Sequence, residues 1–172
     1  MNREFLLAVI IGVTLFLSDF AIGWLTSITG RFPVIFIIAL IIGIVAGKHV
    51  DGLLATALTW LVSIPLGMAI TPLVYSELIS PDVSLFGLFL FVPLWELRGT
   101  FNYQFEGNFI EEVIVGFAYL LIIIFIGPAI YVASLVFGLL GGSIGKLIRD
   151  ILNRNHKSED AAPDFQDAVI PK

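Results

Sequence analysis

Asp19 is the only acidic residue that lies deep inside a long apolar stretch of this chain. If that stretch crosses a bilayer, an ionisable group there costs roughly 2.5–3.5 kcal/mol on insertion scales and usually faces the interior of a helix bundle. Counted from the ends of their apolar stretches, Tyr119 and Thr71 lie at depths similar to that of Asp19. The spacing predicts a hydrogen bond from Asp19 to Tyr119 or to Thr71. Such a site is an interhelical contact with a protonated carboxyl, a proton- or cation-handling site, or an end effect in which Asp19 reaches the water outside the membrane.

A second pattern, Gly141 to Gly145, matches the G-x-S-x-G motif of serine hydrolases, with Ser143 at the nucleophile position. The motif requires a strand, a sharp turn and a helix, whereas here it ends an apolar helix. His49 and Asp51 fall on the same side of the predicted membrane as Ser143, so a triad is compatible with the topology. The sequence favours a glycine-rich helix end, and we expect neither an enzyme nor a cofactor.

Small residues recur at intervals of four along three of the apolar stretches. The three stripes are Ala39, Gly43 and Gly47; Ala55, Thr59, Ser63, Gly67 and Thr71; and Ser134, Gly138 and Gly142. In lipid, helices associate where small side chains let their backbones approach closely. The stripes predict close packing within one bundle. The alternatives are a homo-oligomer interface, a docking surface for a partner, or the lining of a pore.

The composition is that of a membrane protein. Of 172 residues, 58% are hydrophobic and 13% are charged, against about 25% charged residues in soluble domains. The net charge of −5 argues against nucleic-acid binding, and the absence of cysteine excludes thiolate metal sites and disulfides. No metal site is predicted, because the acidic residues fit no ligand spacing.

Four apolar stretches predict an all-α polytopic fold with four transmembrane helices. The spans are residues 5–25, 32–47, 53–75 and 113–145, in one membrane domain over residues 1–152. If all four span, seven of the nine Lys and Arg residues fall on one side. Because cytoplasmic loops carry the excess of Lys and Arg, we expect both termini in the cytoplasm, with the chain in the cell (plasma) membrane.

The last stretch, residues 113–145, is too long for one straight span and lacks a polar turn. Gly127-Pro128 near its centre predicts one tilted helix with a kink. The polar segment 153–172 is predicted to be a disordered cytoplasmic tail.

The loop 76–112 is predicted to lie outside the cell and to be interfacial or β-like. Its apolar part, Leu85–Trp95, is too short to cross a bilayer as a helix, which favours an interfacial or re-entrant segment. Thr100–Glu106 alternates aromatic and polar residues as a half-buried strand does. Leu85–Val92 is therefore also a candidate partner strand in a hairpin.

Three glycine-rich motifs resemble the small four-span membrane proteins of unknown function that are common in archaea. They are Gly43-Ile44-Val45-Ala46-Gly47, the Asp51-Gly52 hairpin, and the run from Gly138 to Gly145. The resemblance covers spans two to four. It implies no catalytic residue, because that group has no established activity.

Together these patterns predict a structural, interaction or accessory subunit built on small-residue packing. Its expected partners are the lipid bilayer and either further copies of the chain or a larger membrane complex. The alternative is a small channel or transporter with Asp19 in a polar path between helices, beside Thr59, Ser63 and Thr71.

Overall fold

The computed structural model describes residues 3–30, 32–76, 84–96, 121, 125 and 127–160. Its helices are α1 (Arg3–Ile22), α2 (Trp24–Thr29), α3 (Val34–Ala46), α4 (His49–Val74), α5 (Leu85–Glu96) and α6 (Gly127–Asp160). No strand occurs among the described residues. The all-helical class predicted from the sequence holds for this part of the chain.

Three helices are long and apolar enough to cross a membrane: α1, α4, and α6 as far as Arg154. The prediction of a membrane protein is supported to that extent. The predicted second span corresponds to α3, which has 13 residues. At 1.5 Å per residue, α3 is about 20 Å long, shorter than the ~30 Å hydrocarbon core of a typical bilayer.

The first predicted span, residues 5–25, is divided by Gly23. Gly23 adopts φ 72° and ψ 24°, a left-handed conformation that glycine accepts without steric cost. α1 therefore ends at Ile22, and the short helix α2 begins at Trp24. An unbroken apolar run concealed this change of direction.

The link between α3 and α4 is short, as the sequence predicts. Only Gly47 and Lys48 separate the two helices, and Gly47 has a positive φ of 70°. α4 then continues through Pro65 and Pro72 to Val74. Proline removes one hydrogen bond from a helix interior, a loss that membrane helices tolerate.

Leu85–Glu96 forms the helix α5, so the interpretation of Leu85–Val92 as a hairpin strand is wrong. The Oγ of Ser84 accepts a hydrogen bond of 3.1 Å from the backbone N–H of Gly87, which caps the first turn. α5 packs on α4 and α1. The predicted strand Thr100–Glu106 lies outside the described residues.

α6 begins at the predicted kink site, with Pro128 in its first turn, where the missing N–H costs nothing. The first half of the predicted span 113–145 lies outside the described residues except for Leu121 and Phe125. At its other end α6 continues to Asp160, eight residues into the tail 153–172 that was predicted to be disordered. No glycine or proline occurs between Gly145 and Pro163 to end the helix earlier.

α3 lies inside the bundle, where it contacts α1, α4 and α6. It runs parallel to α6, and each contacting residue of α3 meets a residue of α6 that lies the same number of positions later in the chain. Phe36 stacks on Phe137 with ring centroids 4.5 Å apart, Leu40 meets Gly141, and Ile44 meets Gly145. We call the end of the bundle that holds Arg3, Lys48 and Lys146 the basic end.

Candidate functional site

The carboxylate of Asp19 is fully buried and accepts three hydrogen bonds from α2. Its Oδ1 accepts from the backbone N–H of Leu25 at 2.6 Å and of Thr26 at 3.0 Å, and its Oδ2 accepts from Thr26 Oγ1 at 2.7 Å. The N-cap residue Gly23 has no side chain to provide these bonds. Asp19 therefore caps α2 from the last turn of α1, and its acidic group lies at the N-terminus of α2, where it interacts favourably with the dipole of that helix.

The end of α1 obtains a second partner from α4. Tyr75 Oη donates a hydrogen bond to the backbone carbonyl of Phe20, and the two rings pack edge to face with centroids 5.4 Å apart. In an unbroken helix that carbonyl would accept from the N–H four residues later. The break at Gly23 is thus stabilised on both sides, by Asp19 for α2 and by Tyr75 for α1.

These contacts differ from the site that the sequence predicts. Thr71 is buried, but its Oγ1 donates to the backbone carbonyl of Gly67 at 2.7 Å and not to Asp19. Tyr119, the other expected partner, lies outside the described residues. Spacing alone could not reveal the cap, because the sequence showed one span where the structure has two helices.

α3 and α6 pack backbone against backbone. A Cβ on Gly43 would overlap the carbonyl oxygen of Gly138 and lie 2.7 Å from the backbone N of Gly142. A Cβ on Gly141 or on Gly145 would overlap a carbonyl oxygen of α3. The interface therefore has no room for a single methyl group along two turns of helix.

α4 joins the same contact from the other side. A Cβ on Gly52 would overlap the carbonyl oxygen of Gly138, and one on Gly138 would overlap the Oγ1 of Thr56. Farther toward the basic end, a Cβ on Gly142 would lie 2.6 Å from the carbonyl carbon of Lys48. Three helices thus meet at glycines.

The structure brings together most of the predicted small residues inside one chain. Ala39 and Gly43 of α3, every member of the α4 stripe from Ala55 to Thr71, and Ser134, Gly138 and Gly142 of α6 are all buried. Gly67 faces α5, where a Cβ would lie 2.7 Å from Val92 Cγ1. The sequence analysis did not assign Gly52, Thr56, Gly141 and Gly145 to the packing, although their intervals of four carried the same signal.

The buried hydroxyl groups of α4 are mostly bonded within their own helix. Thr56 donates to the carbonyl of Gly52 and Thr59 to that of Ala55, each at 2.8 Å. The Oγ of Ser63 is the exception, since it is buried and has no hydrogen-bond partner in the described part of the chain. A threonine hydroxyl that donates to its own backbone has no proton left to donate to a permeating solute, and only its oxygen remains as an acceptor.

A polar contact in the core joins α4 to α6. Trp60 Nε1 donates to Ser134 Oγ at 2.8 Å, and Ser134 in turn donates to the carbonyl of Tyr131 at 2.6 Å. The Trp60 ring also packs against Phe16, with centroids 5.6 Å apart. This contact fixes the register of α4 against α6.

His49 and Ser143, the residues of the apparent hydrolase motif, are in contact. His49 Nδ1 lies 2.9 Å from Ser143 Oγ, and Ser143 Oγ donates to the carbonyl of Leu139 at 3.1 Å. When the single hydroxyl proton is directed to Leu139, the protonated ring nitrogen donates to Ser143, which is the reverse of the arrangement that activates a nucleophile. Asp51 pairs with Lys48 at 4.0 Å, so no triad forms.

Arg149 ties three helices together at the basic end. Its Nη2 donates to the carbonyl of Val45 at 2.7 Å, and its Nη1 pairs with the carboxylate of Glu4. Its guanidinium also lies against Gly47, where a Cβ would overlap it. The sequence placed Gly47 in a packing stripe, and no pattern in the sequence indicates its contact with Arg149.

No three His, Asp or Glu side chains cluster within the described ranges in a way that could hold a metal ion. Comparisons with models of known protein families, with curated proteins and with solved structures found no match to this chain.

Proposed function

We propose that this chain is a four-span protein of the cell (plasma) membrane that acts as a structural or accessory subunit. The proposal rests above all on the contact of three helices at Gly43, Gly52 and Gly138. Backbones that touch leave no route for a solute between those helices. A bundle that is closed in this way serves as a rigid element in an assembly.

The use of Asp19 supports the same proposal. A relay group must exchange a proton or a cation, and so it needs an unengaged oxygen and a neighbour that can pass the charge on. Both carboxylate oxygens of Asp19 instead accept hydrogen bonds from the first turn of α2. We assign it the role of a helix cap.

The fourth span in this proposal is α3. It is apolar throughout and runs beside α6 from Phe36 to Ile44. Its sequence neighbours Arg31 and Lys48 have long side chains that reach the interface from a short helix. The basic end, which carries the Lys and Arg excess, is assigned to the cytoplasm together with both termini.

A small channel or transporter is the second candidate, and Ser63 is the observation that favours it. A fully buried hydroxyl without a hydrogen-bond partner is costly, and such groups recur where function requires them. This candidate predicts flux through proteoliposomes that Ser63→Ala reduces, whereas the subunit proposal predicts no flux above protein-free vesicles.

The subunit proposal is tested by the mass of the protein in lipid nanodiscs, with any co-purified chain identified. We expect a defined stoichiometric assembly of copies of this chain, or of this chain with another protein. A monomer that conducts protons or cations, with conduction lost in Asp19→Asn, would overturn the proposal.

A further inference from the structure

An open cleft of about 490 Å³ lies at the basic end, between the start of α4 and residues 146–153 of α6. Its charged and ring side chains are Lys48, His49, Asp51, Lys146, Arg149 and Asp150. The hydrolase motif does not explain this cleft, and neither does the glycine packing.

The walls of the cleft are held at a fixed distance. Gly142 lies against the backbone of Lys48 and His49, so that a Cβ would overlap the carbonyl oxygen of Lys48 and lie 2.9 Å from the Cα of His49. On one side Arg149 is held by Val45 and Glu4. A cleft with such walls needs little ordering when it binds a ligand.

The lysines of the cleft are available to a ligand. Lys146 is exposed and forms no ion pair with any residue that the structure describes. Lys48 pairs with Asp51 at 4.0 Å, the limit of an ion pair, and 62% of its side chain is exposed. Such an exposed pair is worth little and yields readily to a better partner.

We propose that this cleft binds a phosphate group through Lys48 and Lys146. Lysine binds phosphate as a compact point charge, and the first turn of α4, which lines the cleft, is capped by no side chain. The acidic side chains Asp51 and Asp150 also line the cleft and repel an anion. A bound phosphate therefore has to lie directly against the lysines.

A phospholipid headgroup and a free phosphate share this chemistry. The surroundings favour the lipid, because Leu147, which follows Lys146 on α6, is 60% exposed. Apolar side chains beside a cation offer a surface to acyl chains as well as to the headgroup. The proposal is independent of whether the chain is an assembly subunit or a channel.

The test compares two double variants that each remove two exposed cations from the basic end. Lys48→Gln/Lys146→Gln empties the cleft of its lysines, and Arg3→Gln/Arg154→Gln removes cations that do not line it. In the lipid arm, nanodiscs of phosphatidylcholine contain phosphatidylglycerol, and native mass spectrometry counts the phosphatidylglycerol molecules retained. In the phosphate arm, inorganic phosphate is titrated against the melting temperature in nanodiscs of phosphatidylcholine alone.

We expect the cleft variant to bind phosphatidylglycerol with about 25-fold lower affinity than the wild type, because each lysine contributes about fivefold. The matched variant should bind it as the wild type does. Phosphate that raises the melting temperature of the wild type, but not that of the cleft variant, would support the site with a free phosphate as its ligand. Equal behaviour of the two double variants in both arms would overturn the proposal.

Discussion

The carboxylate of Asp19 caps a helix that begins five residues later, through the backbone N–H and the hydroxyl of Thr26. A buried acid in a membrane span is usually read as a functional group. Here its hydrogen bonds stay within one helix break and assign it to architecture. The following predictions separate that role from a role in transport.

Removing the acceptor at position 19 should destabilise the fold, whereas replacing the charge should not. Asp19→Ala leaves the buried N–H of Leu25 and the half-buried N–H of Thr26 without a partner, at a cost of about 1–3 kcal/mol. Asp19→Asn keeps an acceptor oxygen and should remain within about 1 kcal/mol of the wild type, since asparagine also caps helices well. Thermal unfolding in detergent, followed by tryptophan fluorescence, measures both. Equal losses in the two variants would show that the charge itself is needed.

A single methyl group should disrupt the α3–α6 contact. Gly43→Ala places a Cβ against the backbone of Gly138, which cannot move aside as a side chain would. Overpacking of this kind costs about 1–3 kcal/mol. Gly127→Ala is the matched control, because a Cβ there meets nothing within 4 Å. Melting temperatures that fall equally, or not at all, would contradict the packing.

Replacement of Arg149 should separate the ends of α1, α3 and α6. The guanidinium of Arg149 bonds to the Val45 carbonyl and to Glu4 through two different nitrogens, which the single ammonium group of lysine cannot reproduce. Arg149→Lys should therefore lower the free energy of unfolding by about 1–2 kcal/mol. Arg154→Lys, five residues later on the exposed surface of α6, is the control and should be neutral. Cysteine crosslinking between the start of α1 and the end of α3 gives a second readout. If both lysine variants melt alike, Arg149 acts only as a surface charge.

The Trp60–Ser134 hydrogen bond should appear as a coupling energy. Ser134→Ala leaves the buried indole N–H without its acceptor, and Trp60→Phe removes the donor. A double-mutant cycle on unfolding free energies should give a coupling of about 0.5–1.5 kcal/mol, in the range measured for hydrogen bonds between membrane helices. Additive effects of the two substitutions would mean that the bond contributes nothing to the register.

The sequence predicted those parts of this protein that depend on periodic patterns. Apolar length indicated α1, α4 and α6, and the interval of four indicated the faces where Gly43, Gly67 and Gly138 lie, because one helix face repeats at that spacing. Leu85–Val92 was ambiguous because a short apolar run fits a helix or a strand equally well. Packing on α4 decides for the helix, and spacing within one segment carries no information about such a contact.

The capping role of Asp19 and the contacts of Arg149 lay beyond sequence reasoning for a different reason. Asp19 has its role because Gly23 takes a left-handed conformation, and no local pattern distinguished Gly23 from a packing glycine. Arg149 reaches across about a hundred residues of sequence to Val45. Such long-range partners follow from the register of the helices, which is known only once the glycine contacts are known.

The central claim, that the closed bundle serves as a subunit and not as a conduit, is tested most directly by reconstitution at known stoichiometry. The purified protein is placed in nanodiscs for mass measurement and in proteoliposomes for proton and cation flux, as wild type and as Asp19→Asn. The account predicts a defined assembly of more than one chain, flux equal to that of protein-free vesicles, and no difference between the two proteins. A monomer whose flux exceeds the protein-free level and falls in Asp19→Asn would contradict it.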